Sequence, residues 1–282
     1  MDHKLSAERQ KEIGLKTKSI SITSGKGGVG KTSLAINLSQ YLAMKGKKVL
    51  LIDCDFGLAN IDVILNLKAE RTLQDILTDS AKIEDVIINT KHGFDLLAAS
   101  SGIPDIADLE LKNQKYLIKH LAQIQQNYDI LIFDTGSGIH KSTLRINAAA
   151  DNVLVVTNPE PTSLTDAYSI IKALRNLYKV HKFQMVVMKA DLSTARKVRD
   201  LIAKVAEDNG LLIDLELLGA IETDPVVTNA IYKRLTWREV QSDSNASKSL
   251  EKIVQTFLDP IQQNITTNKE PSFWAKYFKF VK

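Results

Sequence analysis

Cysteine is nearly missing from this chain, and Cys54 is the one it has. A single thiol excludes an internal disulfide framework and a cysteine-ligated cluster of the chain's own, and it fits a reducing, cytoplasmic setting. Long apolar runs are missing too. No stretch is long enough to span a bilayer, and the leader "MDHKLSAERQKEIGLKTKS" is too polar for a secretion signal. Charge of one sign is scarce, since Lys and Arg exceed Asp and Glu by only 37 to 33, which does not by itself mark a nucleic-acid binder. The five histidines are scattered without ligand spacing and are assigned no role. Aromatics are few at 6%, yet five of them crowd the final segment "PSFWAKYFKFVK".

What is present is a folded globule's share of apolar residues, 44% over 282 positions. The runs "SISITS", "KVLLIDCD", "GFDLLAAS", "YDILIFDT", "NVLVVTNP", "KFQMVVMK" and "LIDLELLGAI" are short, continuous and mostly separated by helix-length segments. That is the pattern of parallel strands buried on both faces, so an α/β fold with a doubly wound, mostly parallel sheet flanked by helices is expected. Helices are expected near 31–47, 105–126, 141–149, 163–178, 194–209 and 244–264. Residues 1–18 read as a polar leader, 19–263 as the body, 264–271 as a linker containing Pro271, and 272–282 as a separate tail.

Between the first strand and the first helix stands Gly25-Lys26-Gly27-Gly28-Val29-Gly30-Lys31-Thr32, followed by Ser33, and these nine residues with Asp53 are the candidate cofactor-binding set. It fits the phosphate-loop pattern G-x-x-x-x-G-K-[ST] in its proper strand-loop-helix context. Phosphate oxygens need several donors at once. Gly27, Gly28 and Gly30 let backbone N–H groups converge without Cβ clashes, and the helix N-terminus adds partial positive charge. Lys31 is placed to reach the β and γ phosphates, and Thr32 to offer its hydroxyl to Mg2+. Lys26 is the unusual member, because an ordinary phosphate loop has no need of a second lysine. Asp53 and Asp55 alternate past Cys54 at one strand end, and Asp134 closes another before Gly136. Acids there can hold Mg2+ directly or through water and orient an attacking water; helix capping is the structural alternative. Asp129 precedes its strand and reads as structural.

"KGGVGKT" resembles the deviant phosphate loop of the MinD/ParA group of dimeric ATPases. "DCDFGLANIDVILNL", "FDLLAASSG", "DTGSGI" and above all "NPEPTSLTDAYSIIKAL" are similar to its FlhG/FleN branch, which controls flagellar number and placement. The resemblance implies ATP and Mg2+ as ligands, slow regulated hydrolysis and an ATP-dependent homodimer in which Lys26 crosses to the partner's nucleotide. It assigns Asp55 to the water of the first switch, Asp134 to the second switch near Mg2+, and Asp53 to support. It also implies partners: the signal-recognition-type flagellar GTPase FlhF and flagellar switch-complex proteins. The division-site MinD role and a DNA-binding ParA role are the alternatives, although Lys112, Lys115, Lys119, Lys172, Arg175, Lys179 and Lys182 lie among acids, which makes nucleic acid an unlikely partner. Three features depart from the branch. The leader lacks a DQAxxLR-like register, Met188-Lys189 stand where relatives commonly carry an adenine-reading asparagine, and Glu222 replaces a proline. The proline-rich "PEPTSLTDAY" turns from strand to helix, with Thr162 or Ser163 as its cap.

At about 100° per residue, Phe273, Trp274, Tyr277, Phe278, Phe280 and Val281 share one arc of a helical wheel, and Lys276, Lys279 and Lys282 fill the other side. Such a short helix needs a surface to lie on. An anionic membrane surface supplies one, reversibly recruiting a cytoplasmic protein, as membrane-targeting tails of MinD-like proteins do. The alternative surface is the body of the protein itself.

Overall fold

Continuous apolar runs form strands here because helices cover both faces of the sheet, so no position in them must face water. The computed structural model describes residues 17–55, 61–78, 80–98, 109–263 and 271–281. The leader over 1–16, nearly all of the linker and Lys282 lie outside the described residues. The strands are β1 (Lys18–Thr23), β2 (Val49–Cys54), β3 (Ile87–Asn89), β4 (Asp95–Leu97), β5 (Ile130–Thr135), β6 (Asn152–Thr157), β7 (Lys182–Met188) and β8 (Asp214–Ile221). They form one sheet in the order β3-β4-β2-β5-β1-β6-β7-β8, parallel throughout except for β3 at the edge. The order reverses around β1, where doubly wound sheets open a crevice at their carboxyl edge. Register makes that edge exact in its consequences: Asp53 lies opposite Asp134, and Asp134 opposite Ile22.

Over one face lie α1 (Lys31–Met44) and α10 (Asn245–Gln263), with Trp237 fully buried in the same apolar cluster. The helices α6 (Pro161–Tyr178) and α7 (Leu192–Asp208) pack with β6 to β8 in a second cluster. In a third, α4 (Leu111–Gln125) and α5 (Lys141–Ala149) cover β2 and β5. Between α1 and α4 come the short helices α2 (Ile61–Leu65) and α3 (Leu73–Leu77). Before α10 come α8 (Pro225–Lys233) and α9 (Trp237–Val240).

The expected cap of α6 is corrected: Glu160 is the N-cap and Pro161 opens the helix. The hydroxyl of Ser163 instead pairs with Thr157 Oγ1 at 2.9 Å and accepts from the Asn158 N–H, tying the helix start to the end of β6. Four short helices and β3 were not anticipated. In α8, the β-branched start "VV" favours a strand on propensity. Asp224 overrides it, because one carboxylate oxygen caps Val226 N–H and the other accepts from Ala246 N–H.

The tail forms α11 (Phe273–Val281), capped by Ser272, whose hydroxyl accepts from Ala275 N–H. Its aromatic face is turned onto the body. Phe273, Trp274 and Tyr277 are 1%, 5% and 2% exposed, while Phe278 and Phe280 are half-buried. Phe273 stacks on Phe133 of β5 at 3.9 Å, and Phe280 meets Tyr178 edge-on at 5.1 Å. Lys276 pairs with Asp151 at 2.8 Å, and the other Asp151 oxygen accepts from the Ser19 N–H and hydroxyl. α11 thus lies between α4 and α5, roofing a strand that carries Asp134 at its end.

His92 is a buried titratable group in this frame. Its Nδ1 lies 3.1 Å from Glu239 Oε1, and Nε2 has no hydrogen-bond partner among the described residues. Burial pushes its pKa below the usual histidine value, with Lys91 adding to that and Glu239 opposing it. Burial also disfavours the charge on Glu239, but hydrogen bonds from Thr236 and the charge of His92 hold that carboxyl low. With a depressed folded pKa, the unfolded chain binds the extra proton first. Stability is therefore expected to fall as pH drops below about 6.5. The loss should level off below the folded pKa of His92, and the Glu239 contribution is lost only at more acidic pH. Denaturant melts of wild type and His92→Gln check this: the variant should show a flatter profile between neutrality and pH 5, and an unchanged slope would refute the assignment.

Candidate functional site

β1 delivers the chain into the phosphate loop at the carboxyl edge of the sheet. Gly28 and Gly30 adopt positive φ, 75° and 101°, which side chains resist, and Gly30 is the N-cap of α1. Gly27 and Gly28 are exposed, whereas Val29 is buried as the loop's apolar anchor. Gly25 touches the backbone of α6, since a Cβ there would fall 2.2 Å from the Asp166 carbonyl atoms. Ser24 braces the loop, its hydroxyl bonding the Lys26 carbonyl and its own carbonyl accepting from Gly138 N–H.

The structure brings the predicted acids to this loop. The Lys31 ammonium donates to Asp134 Oδ1 at 2.8 Å, with both side chains buried. Burial raises the Asp134 pKa, while Lys31 and Thr32 oppose the shift and Asp55 adds to it. Asp55 lies across from Gly136, where a Cβ would sit 3.5 Å from its Oδ1. Asp53 is buried, and its two oxygens accept from the Asp55 and Ile61 N–H groups. It holds the backbone that carries Asp55. Asp129 accepts from Lys48 N–H, a structural contact as read. Ser33 is different from its neighbours: its hydroxyl faces the core and accepts from the Trp237 indole N–H at 3.1 Å, so only its backbone N–H is left to face a phosphate. Met188 is buried against the loop, its Cε 3.1 Å from where a Gly30 Cβ would be.

Lys26 stands apart from Lys31. It sits on the outer rim, its side chain 39% exposed, and donates to Glu160 at 2.8 Å and to Thr162 Oγ1 at 3.1 Å. The Lys26 hydrogen bond and charge hold the Glu160 pKa below the usual carboxylate value. Neither was read from sequence as a partner of Lys26, Thr162 being expected only as a helix cap, although both lie in the quoted string "NPEPTSLTDAY". The available signal was a carboxylate at the strand-to-helix turn beside the loop.

Backbone donors, a buried lysine, a threonine hydroxyl and strand-end carboxylates at one crevice form a donor set that suits a phosphate chain with a hard, oxygen-seeking cation. Gly27 to Thr32 would hold the phosphates, and Thr32, Asp55 and Asp134 lie where the cation would be held. These features define a P-loop nucleoside triphosphatase. Residues 17–187 match the family described as an AAA domain. The chain is 36% identical to the antiactivator FleN of Pseudomonas aeruginosa over 238 residues, covering 84% of each protein. It is 32% identical to the flagellum site-determining protein YlxH of Helicobacter pylori, covering 94% of this chain and 91% of that one. Among solved structures, the septum site-determining protein MinD of Pyrococcus horikoshii, complexed with Mg-ADP, superposes with a TM-score of 0.66 at 26% identity, over 89% of this chain and 99% of that one. The chain belongs to the MinD/ParA family of P-loop ATPases, in its FlhG/FleN branch.

Proposed function

We propose that this protein is an ATP-switched regulator of flagellar number and placement, in which slow hydrolysis of ATP to ADP and phosphate times the life of a homodimer. The observation that carries the reading is the placement of Lys26. It belongs to the phosphate loop, yet its ammonium is on the exposed rim and is held by Glu160 and Thr162, within reach of a second protomer. Mg2+ and the phosphate chain, when bound, supply charge neutralisation and the bond to be broken. Lys31 holds phosphate, Asp55 orients the attacking water, Asp134 and Thr32 face the cation, and Lys26 leaves Glu160 to add positive charge across the interface, as an arginine finger does. The 36% likeness to FleN and 32% likeness to YlxH support the flagellar role, with an FlhF-type GTPase and switch-complex proteins as partners. A division-site role would use the same chemistry, and flagellar counts in cells lacking the protein separate the two.

Membrane recruitment belongs to the same proposal, with residues 19–263 as the ATPase body, 264–271 as the linker and 272–282 as the tail. Phe273, Trp274, Tyr277, Phe278 and Phe280, with Val281, are the face that would enter a bilayer, and Lys276, Lys279 and Lys282 the side that would meet anionic headgroups. Since the rings are docked on the body, their entry into a bilayer requires α11 to leave. The β5–α5 loop offers a route, because it starts just past Asp134 of the site and ends in the helix on which α11 packs. Two freed tails on one dimer would hold a membrane far better than one.

The test is light scattering with Mg-ATP in the Asp55→Ala background, which slows hydrolysis. Lys26→Ala is expected to bind a fluorescent ATP analogue within a few-fold of the parent and to stay monomeric, whereas Glu160→Gln, which loosens Lys26, should dimerise at lower ATP. Dimerisation of Lys26→Ala at parental ATP concentrations would overturn the proposal.

A further inference from the structure

The outer face of α4 has a composition that the nucleotide site does not explain. Along it Leu111, Lys112, Lys115, Tyr116 and Lys119 are all exposed, Leu111 by 52% and Tyr116 by 37%, and, against the expectation that these lysines lie among acids, no acid interrupts them from 111 to 119. Lysines at i, i+3 and i+7 fall on one side of a helix. None of the three has an ion-pair partner among the described residues. α11 packs directly against α4 in the same layer, so the outward sides of the two helices are neighbours, and α11 adds the exposed Lys279. Among the described residues, the acids on elements packed against α4 are Asp75 of α3, which is bonded to Thr72, and Glu84 and Asp85 of the 3-10 turn, and Glu110 is the N-cap of α4.

We infer that this lysine face of α4, extended by Lys279 of the docked α11, is an electrostatic docking surface for an anionic lipid bilayer, used while the aromatic face of α11 is still buried. Several arguments commit it to that occupant. The basic groups are lysines without arginine, compact charges suited to a diffuse anionic plane rather than to bidentate recognition of one carboxylate or phosphate. Lysine stems with one tyrosine and one leucine among them suit the headgroup boundary, with apolar parts inward and polar tips in water. The face is also continuous with the helix proposed above to insert. First contact through α4 would hold α11 at the bilayer before it undocks, so that ATP-driven release occurs where the rings have somewhere to go. The inference deepens the membrane reading and rests on it for its purpose, but the docked state it describes can be tested separately.

The experiment is flotation of the full chain without nucleotide, on phosphatidylcholine vesicles with and without roughly a third phosphatidylglycerol, at about 50 and about 300 mM salt. Tryptophan emission is recorded alongside, because Trp237 and Trp274 are both buried in the docked form. Wild type should float only with anionic vesicles at low salt, with unchanged emission. Each lysine beside an anionic surface is worth roughly a factor of five, so Lys112→Gln/Lys115→Gln/Lys119→Gln should bind about a hundredfold more weakly. Its fold is checked by an unchanged thermal melt, since all three sites are exposed. Wild-type flotation by the triple variant, no flotation of wild type, or a nucleotide-free emission shift on binding would each overturn the inference. A salt-sensitive duplex-DNA gel shift lost in the same variant would also overturn it, in favour of nucleic acid. If the α4-dependent flotation holds but ATP adds no emission change, the proposed tail insertion fails and this inference stands.

Discussion

Gly25→Ala is expected to abolish nucleotide binding, with a loss on the order of a hundredfold or more from displacing the phosphate loop by an ångström. A Cβ at Gly25 would lie 2.2 Å from the carbonyl carbon and oxygen of Asp166 and 2.6 Å from its Cβ. Neither side can retreat cheaply. The start of α6 is tied to β6 by the Ser163 hydrogen bonds, and the next turns bury Ala167, Ile170 and Ile171 completely. The loop must therefore move, and with it the N–H groups aimed by Gly27 to Thr32. The glycines beside it make useful controls. Gly27→Ala would bring its Cβ only to 3.7 Å of Ser137 Oγ and should be nearly silent. Gly28→Ala has open space but a φ of 75°, so it should cost about 1–2 kcal/mol of strain. Titration with a fluorescent ATP analogue ranks them. Asp166→Ala should not rescue Gly25→Ala, because the obstacle is mostly backbone. Parental affinity in Gly25→Ala would show that the loop and α6 are not in the contact described.

The phosphate loop and the strand-end acids were legible in the sequence because both are local. Glycine spacing and a strand that ends in aspartate fix their own geometry, and the register that sets Asp53 beside Asp134 follows from parallel pairing. Most of the sheet was legible for the same reason, since each run of Val, Ile and Leu is continuous. What escaped depends on partners distant in the chain. Glu160 meets Lys26 across 134 positions, and the Trp237 indole reaches Ser33 across 204. The second contact turned a residue assigned to the cofactor toward the core. β3 is three residues long and forms only because β4 offers it an edge. The tail shows the limit best. The docked helix has Phe273, Trp274 and Tyr277 on one side and Lys279 on the other, as the wheel has them, but Lys276 of the lysine side reaches Asp151 of the body, and amphipathicity specifies only that some apolar surface receives the rings. Phe133 of β5, an ordinary strand residue in sequence, is the surface that receives them here.

Trp274→Ala should lower stability by less than its burial suggests, and the size of the shortfall decides what the tail is for. Truncating a tryptophan in a fixed core costs about 3–5 kcal/mol. If α11 exchanges between docked and free, the loss is capped at the free energy of docking, because a tail weakened past that point leaves and the body loses nothing more. A ligand can reverse such an equilibrium only if it spans no more than roughly 5 kcal/mol. Phe273→Ala, Trp274→Ala and the double variant are therefore expected to reach one common plateau in urea melts, while the body still unfolds cooperatively. Limited proteolysis should then cut near the tail in all three without ATP, whereas wild type is expected to be cut there only with ATP. Point variants are preferable to removing residues 271–282, which would strip the cover from Phe133 and confound membrane binding with exposure of the sheet. Additive losses at the full core value, with no plateau, would identify α11 as a permanent staple. Tail-driven membrane binding would then fall, while the ATP-dependent dimer through Lys26 would stand untouched, because Lys26 is held by Glu160 and Thr162 rather than by α11.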